Sequence, residues 1–111
     1  MTKKELVKII KDNFTNEEGD IDIRGLKFDT NIYLSRMKVD GDLHQANQIV
    51  KGNLYQDFQQ VEGHLYQEIQ KVKGNLSQNS QKVNGYLCQH NQKVKGDMYQ
   101  FNQKVKGKIY N

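Results

Sequence analysis

Lysines recur at Lys51, Lys73 and Lys95, each followed two places on by Asn53, Asn75 or Asp97, with Tyr33, Tyr55 and Tyr99 at matching offsets. Cations interleaved with flat rings suit a polyanion, since lysine neutralises phosphate and tyrosine stacks on bases. The same ladder also has a purely structural use, because stacked tyrosines and rows of amides hold neighbouring rungs together. A second set is acidic: Glu18, Asp20, Asp22, Asp40, Asp42 and Glu62. Such a row could engage the basic groove of a nucleic-acid-acting enzyme as a crude imitation of phosphates, or simply keep a face solvated. Its spacing matches no calcium-binding loop.

Catalytic chemistry finds no matching pattern. Cys88 is the one cysteine, and His44, His64 and His90 fall in different stretches of the chain. No Cys/His group has zinc spacing, no base is paired with an orienting partner, and no glycines cluster into a phosphate loop. The expectation is a protein that is not an enzyme and has no cofactor and no metal.

The elements that must position these side chains come from a strict repeat. Glycine returns every eleven residues from Gly41 to Gly107, with valine two before it and an aliphatic two after, as in Val50-Lys51-Gly52-Asn53-Leu54. Glutamines follow at fixed offsets, for example Gln56 with Gln59, so the unit reads Val-x-Gly-x-Leu-x-Gln-x-x-Gln-x. One unit cannot bury its own apolar face, and a period this regular specifies a stacked array. Counting back eleven at a time extends it through Phe28, Thr30 and Ile32 to Glu17, Gly19 and Ile21.

Eleven residues also make three helical turns, and a right-handed helical bundle is the competing architecture. Each unit would then carry a glycine costing about 1 kcal/mol, and Ser80, Asn91 and Asn102 would puncture the seam. The strand reading uses every constant position: Val50 to Gln56 alternates with period two, leaving Asp57 to Gln60 as a corner. Positions beside the glycines are uniform in alternate units (Lys51, Lys73, Lys95) and drift in the others (Asp40, Glu62, Asn84, Lys106). Two units per coil, about 22 residues forming two strands, explain that alternation. The fold class is all-β, a β-solenoid of 11-residue units with a short N-terminal capping α-helix.

The helix is expected over roughly 3–14, where Thr2-Lys3-Lys4-Glu5 forms a capping box and Leu6, Val7, Ile9, Ile10 and Phe14 make an apolar stripe. Its flanking lysines would also permit a membrane-surface helix, but covering the first rung of the array is the reading adopted. The domains are then a capping helix over 1–16 and a solenoid over 17–111.

At 111 residues and 35% apolar content the chain makes one domain with a narrow core. No run is long enough for a membrane span and the start is no secretory leader, so the expected compartment is the cytoplasm, where a lone cysteine stays reduced. Residues 1–68 hold nine Lys/Arg and twelve Asp/Glu, whereas residues 69–111 hold eight lysines and one acid, Asp97. The last rung, with Val105, Ile109 and Tyr110, is expected to pair with a second copy as a homodimer.

The string Asp22-Ile23-Arg24-Gly25-Leu26, then Tyr33-Leu34-Ser35-Arg36-Met37-Lys38-Val39 and the Gly-Asn-Leu-Tyr-Gln units, resembles small repeat proteins of phages and mobile elements of Gram-positive bacteria. More distantly, Val-x-Gly-Asp/Asn-Leu is similar to the rungs of bactofilins, and the stacking to pentapeptide-repeat proteins, though their period is five. Pentapeptide-repeat proteins include dimeric DNA mimics that inhibit DNA-acting enzymes. The resemblance therefore implies a non-enzymatic solenoid that docks a protein partner through a strand face, as a phage-encoded inhibitor of a host defence enzyme would, in the manner of anti-CRISPR proteins. The alternatives are nucleic-acid binding by the lysine and tyrosine positions, and end-to-end self-assembly.

Overall fold

Val, Leu and the amino acids between them build short strands here, not long ones. The computed structural model describes residues 3–110, with side chains from residue 5 onward. Thr2, the expected helix cap, lies outside the described residues. Each 11-residue unit contributes two strands of two residues, one around its leucine and one around its valine. A coil of 22 residues therefore has four strands and four corners, where the sequence pattern implied two longer strands.

The cause lies at the glycine. Beyond it the next backbone amide bonds to a side chain of the preceding coil instead of a main-chain carbonyl. Asn53 N donates to Asn31 Oδ1 at 2.8 Å, and Asn75 N to Asn53 Oδ1 at 2.8 Å. The strand ladder is interrupted there and the chain turns.

Successive coils pair in parallel, in register at an offset of 22 residues, and form four sheets. Sheet A comprises Ile21–Asp22, Leu43–His44, Leu65–Tyr66, Leu87–Cys88 and Ile109–Tyr110. Sheet B comprises Lys27–Phe28, Ile49–Val50, Lys71–Val72 and Lys93–Val94. Sheet C comprises Ile32–Tyr33, Leu54–Tyr55, Leu76–Ser77 and Met98–Tyr99. Sheet D comprises Lys38–Val39, Gln60–Val61, Lys82–Val83 and Lys104–Val105. The chain visits A, B, C and D in turn, so A lies opposite C and B opposite D.

The B–C and D–A corners carry the glycines. Gly74 N bonds Gly52 O at 3.0 Å, and Gly63 N bonds Gly41 O at 3.0 Å. A Cβ on Gly63 would meet Asp42 Oδ1 and the Gly41 backbone. Glycine is required because the neighbouring side chain that satisfies the next amide already fills that space. The A–B and C–D corners turn differently, with a residue at positive φ: Gly25, Asn47, Ile69 and Asn91 on one, Arg36, Phe58, Ser80 and Asn102 on the other. Glycine and asparagine tolerate this left-handed region, whereas β-branched Ile69 at φ 59° is strained there.

Inside, leucines and valines of all four sheets meet a second set of buried side chains, the glutamines. Gln45, Gln48, Gln56, Gln59, Gln67, Gln70, Gln78 and Gln81 are fully buried. One row zigzags across the interior: Gln56 Nε2 donates to Gln45 Oε1 (2.8 Å), Gln67 to Gln56 (2.9 Å) and Gln78 to Gln67 (3.0 Å). Two straight rows run along the walls, with Gln70 donating to Gln48 and Gln81 to Gln59, each at 2.7 Å. In the first coil these positions become Ile23, Leu26, Leu34 and Met37, and Gln48 Nε2 is left without a partner.

That apolar first coil is covered by helix α1 (Lys3–Phe14), which packs Ile10, Leu6 and Val7 against it. Ile9 and Phe14, expected in the same stripe, are exposed at 42% and 37%. The buried face is narrower than the stripe because a single layer of strands supports it.

Two substitutions test the corners. Gly63→Ala is expected to lower unfolding free energy by about 2 kcal/mol or more, through forced contact and a lost Asx bond. Ile69→Asn, the residue at equivalent corners, is expected to raise it by about 1 kcal/mol. Urea unfolding followed by circular dichroism reads both.

Candidate nucleic-acid interface

Sheet B faces outward through two columns of side chains flanking its inward row of Phe28, Val50, Val72 and Val94. The residue before each valine position is Lys27, Ile49, Lys71 and Lys93, with Lys71 directly opposite Ile49 and Lys93. The residue after it is Asp29, Lys51, Lys73 and Lys95. Six lysines and one aspartate thus line a shallow trough with Ile49 and Val72 in its floor. Lys51 pairs with Asp29 at 3.4 Å, both ends well exposed. Among the described residues the other five lysines have no ion pair. Adjacent coils lie about 4.8 Å apart, so Lys71, Lys73, Lys93 and Lys95 form a block of like charge with no ion pair among the described residues.

Sheet C adjoins it across the glycine corner. Its outward column is Tyr33, Tyr55, Ser77 and Tyr99. Tyr33 and Tyr55 stack, with centroids 5.0 Å apart and planes 4° from parallel. Asn53 Nδ2 donates to the Tyr55 hydroxyl at 2.9 Å, and Tyr99 donates to Asp97 Oδ2 at 3.1 Å, which raises the Tyr99 phenol pKa. Both ring tips are thereby tied toward the corner shared with sheet B. The lysine and tyrosine positions grouped in the sequence therefore occupy two neighbouring faces, not one.

The acidic set is dispersed. Asp20 and Asp42 serve the D–A corner, accepting from Asp42 N and His64 N, each at 2.7 Å. Asp22 lies on sheet A in an ion pair with Arg24 at 2.6 Å, and that contact holds its carboxyl below the ordinary range. Glu18 sits in the turn before the first coil, where its amide donates to Asn16 Oδ1. Only Asp40 and Glu62 border sheet D together, and Glu62 accepts from Asn84 Nδ2 at 2.6 Å. Farther along, the same column reads Asn84 and Lys106.

Sheet A gathers the histidines and the thiol. His44 stacks on Tyr66 and His64 on Tyr86, at 4.9 Å and 3.9 Å. Burial, with the Glu68 carboxylate nearby, pushes the Cys88 thiol up. An activated cysteine is shifted the other way. Among the described residues no three His, Cys, Asp or Glu groups come together as metal ligands, and no helix is long and apolar enough to cross a membrane. At the last coil, Ile109 is half exposed and Val105 packs on the core, while Tyr110 points out beside Tyr86 and His90.

The chain is a parallel β-solenoid with two columns of lysine on sheet B and a sparser one, Lys38, Lys82 and Lys104, on sheet D. Comparison with protein-family models, curated proteins and solved structures finds no match to it. Lys27, Lys71 and Lys93 were not among the sequence candidates. The signal for two of them was the Lys-Val-Lys triplet at 71–73 repeated at 93–95, one coil later.

Asp20 makes a pH-dependent contribution at its corner. Hydrogen bonds from the Asp42 amide and the Asn16 side chain hold Asp20 below its ordinary value of 3.8. A carboxyl whose folded pKa is the lower one stabilises the fold above its unfolded pKa, and this is lost as pH falls through the folded value. Asp20→Asn keeps the acceptor, as Asn31 and Asn53 do. Its urea midpoint is expected to fall less than that of the unsubstituted protein between about pH 5 and 2.

Proposed function

We propose that this protein is a non-enzymatic binding scaffold that docks the phosphate backbone of a nucleic acid along sheet B. The observation that carries the reading is the run of six lysines in two columns with a single ion pair. Like charges opposed across parallel strands, as Lys71 is to Lys93, destabilise a bare sheet. A row of phosphates reverses that sign and adds the entropy of released counterions. The solenoid supplies rigidity, since Lys51, Lys71 and Lys73 each adjoin a fully buried valine, Val50 or Val72.

An acidic docking face is less well supported. Four of the six acids lie off sheet D, and Asp20, Asp22, Asp42 and Glu62 already have hydrogen-bonding partners within the chain. Among the described residues the trough's ion pairs are limited to Lys51 with Asp29.

Binding to a labelled DNA duplex is expected to weaken with salt at a slope of about −4 to −5, as four to six phosphate contacts require. Lys73→Ala and Lys95→Ala should each reduce the slope by about one and weaken all sequences alike. The double variant Lys73→Glu/Lys95→Glu should abolish binding, while Lys82→Glu/Lys104→Glu on sheet D should retain most of it. No affinity at low salt, or equal losses from the two double variants, overturns the assignment.

A further inference from the structure

The outward ladder of sheet C has one rung missing. Tyr33 and Tyr55 stack as consecutive rungs, Ser77 follows, and Tyr99 resumes the ladder. Tyr55 and Tyr99 are two coils apart, about 10 Å at ~4.8 Å per coil. Offset-stacked rings sit with centroids about 4.5–7 Å apart, so this interval takes one flat ring against both tyrosines. The walls are already held, because each phenol is hydrogen-bonded to a corner residue. Below lies a polar floor: the Ser77 hydroxyl donates to Asp57 Oδ1 at 2.6 Å and receives Asn79 Nδ2 at 3.4 Å.

We infer that the missing rung at Ser77 seats one unpaired base of a single-stranded nucleic acid whose phosphates lie on sheet B. The inference rests on the lysine-sheet reading and adds the strandedness of the ligand. Lys73 and Lys95 stand four residues before Ser77 and Tyr99, on the far side of the corner. Gly74 and Gly96 form that corner and carry no side chain of their own, with Asn53 and Asn75 folded in against them. A strand tracking the lysines can therefore turn its bases over the corner toward the tyrosines. A duplex cannot, because its base faces are already stacked and its edges paired.

The equivalent gap on sheet A, Cys88 between Tyr66 and Tyr110, provides the internal control. Its neighbours are Glu68 and His90, and the corner between it and sheet B carries Ile69 and Asn91. Glu68 corresponds to the Asp57 of the Ser77 gap, so the corner is what separates the two: its side chains make the sheet A gap a poor seat for a strand held on sheet B.

The test fills the gap with the ladder's own residue. Ser77→Tyr, Cys88→Tyr and Tyr99→Ala are compared with the unsubstituted protein by fluorescence anisotropy, using a labelled twelve-residue oligothymidylate and a twelve-base-pair duplex. Ser77→Tyr is expected to bind the single strand roughly tenfold more weakly, the worth of one base-stacking contact, with duplex binding unchanged. Tyr99→Ala, which removes a wall without filling the gap, should move the single strand in the same direction. Cys88→Tyr should change neither. Unchanged single-strand affinity in both Ser77→Tyr and Tyr99→Ala overturns the seat, even where Lys73→Glu/Lys95→Glu removes all binding. If the unsubstituted protein binds neither probe, the lysine-sheet reading fails, and the seat with it.

Discussion

A buried carboxamide is worth about 1 kcal/mol when bonded and costs about 1–3 kcal/mol when left unmade. This solenoid lines its interior with them, so its registration depends on amide matching as much as on apolar burial. Leucine and valine would tolerate a slipped coil, since any aliphatic neighbour serves. Gln70 tolerates none: its Nε2 reaches Gln48 Oε1 at 2.7 Å only when coils are offset by 22 residues. The zigzag through Gln45, Gln56, Gln67 and Gln78 adds a second condition, locking opposite sides of each coil at the 11-residue offset.

Where the amides stop, an apolar layer replaces them, and the transition is incomplete. Ile23, Leu26, Leu34 and Met37 close the first coil against helix α1, and Gln48 faces them with Nε2 unbonded. Register is therefore fixed along the body of the array and relaxed at its helical end. With the interior so constrained, the outward positions away from the corners and the stacked rings are freer to vary. That freedom lets sheet B accumulate lysine while the sheet D border drifts from Asp40 to Lys106.

The repeat, the strand preference, the helix and the 22-residue coil were all legible in the sequence, because each follows from periodicity. The four-sided cross-section was not. Alternation across Val50 to Gln56 looks the same whether the chain runs straight or bends at Gly52, and only the bond from Asn53 N to the Asn31 side chain decides it. The same ambiguity merged lysines and tyrosines into one face. The acids misled for a related reason: Asp20 and Asp42 read as a surface row, yet they hold a corner closed, a task that asparagine performs on the opposite one. Ser77 was indistinguishable from an ordinary substitution until its place between two tyrosines was known.

The interior and the exterior of this molecule count differently. Valine, leucine, glycine and glutamine recur every eleven residues, so the core sees sheets A and C as equivalent, and B and D likewise. The surface distinguishes them only by whether a unit is odd or even. Gain or loss of a single unit would leave every buried contact type intact and carry all later side chains half a turn around the axis, splitting the lysine trough between opposite sides. Gain or loss of two would only lengthen or shorten it. The exterior pattern is thus protected by parity, and a lineage of such chains can change length freely in pairs of units while keeping its faces.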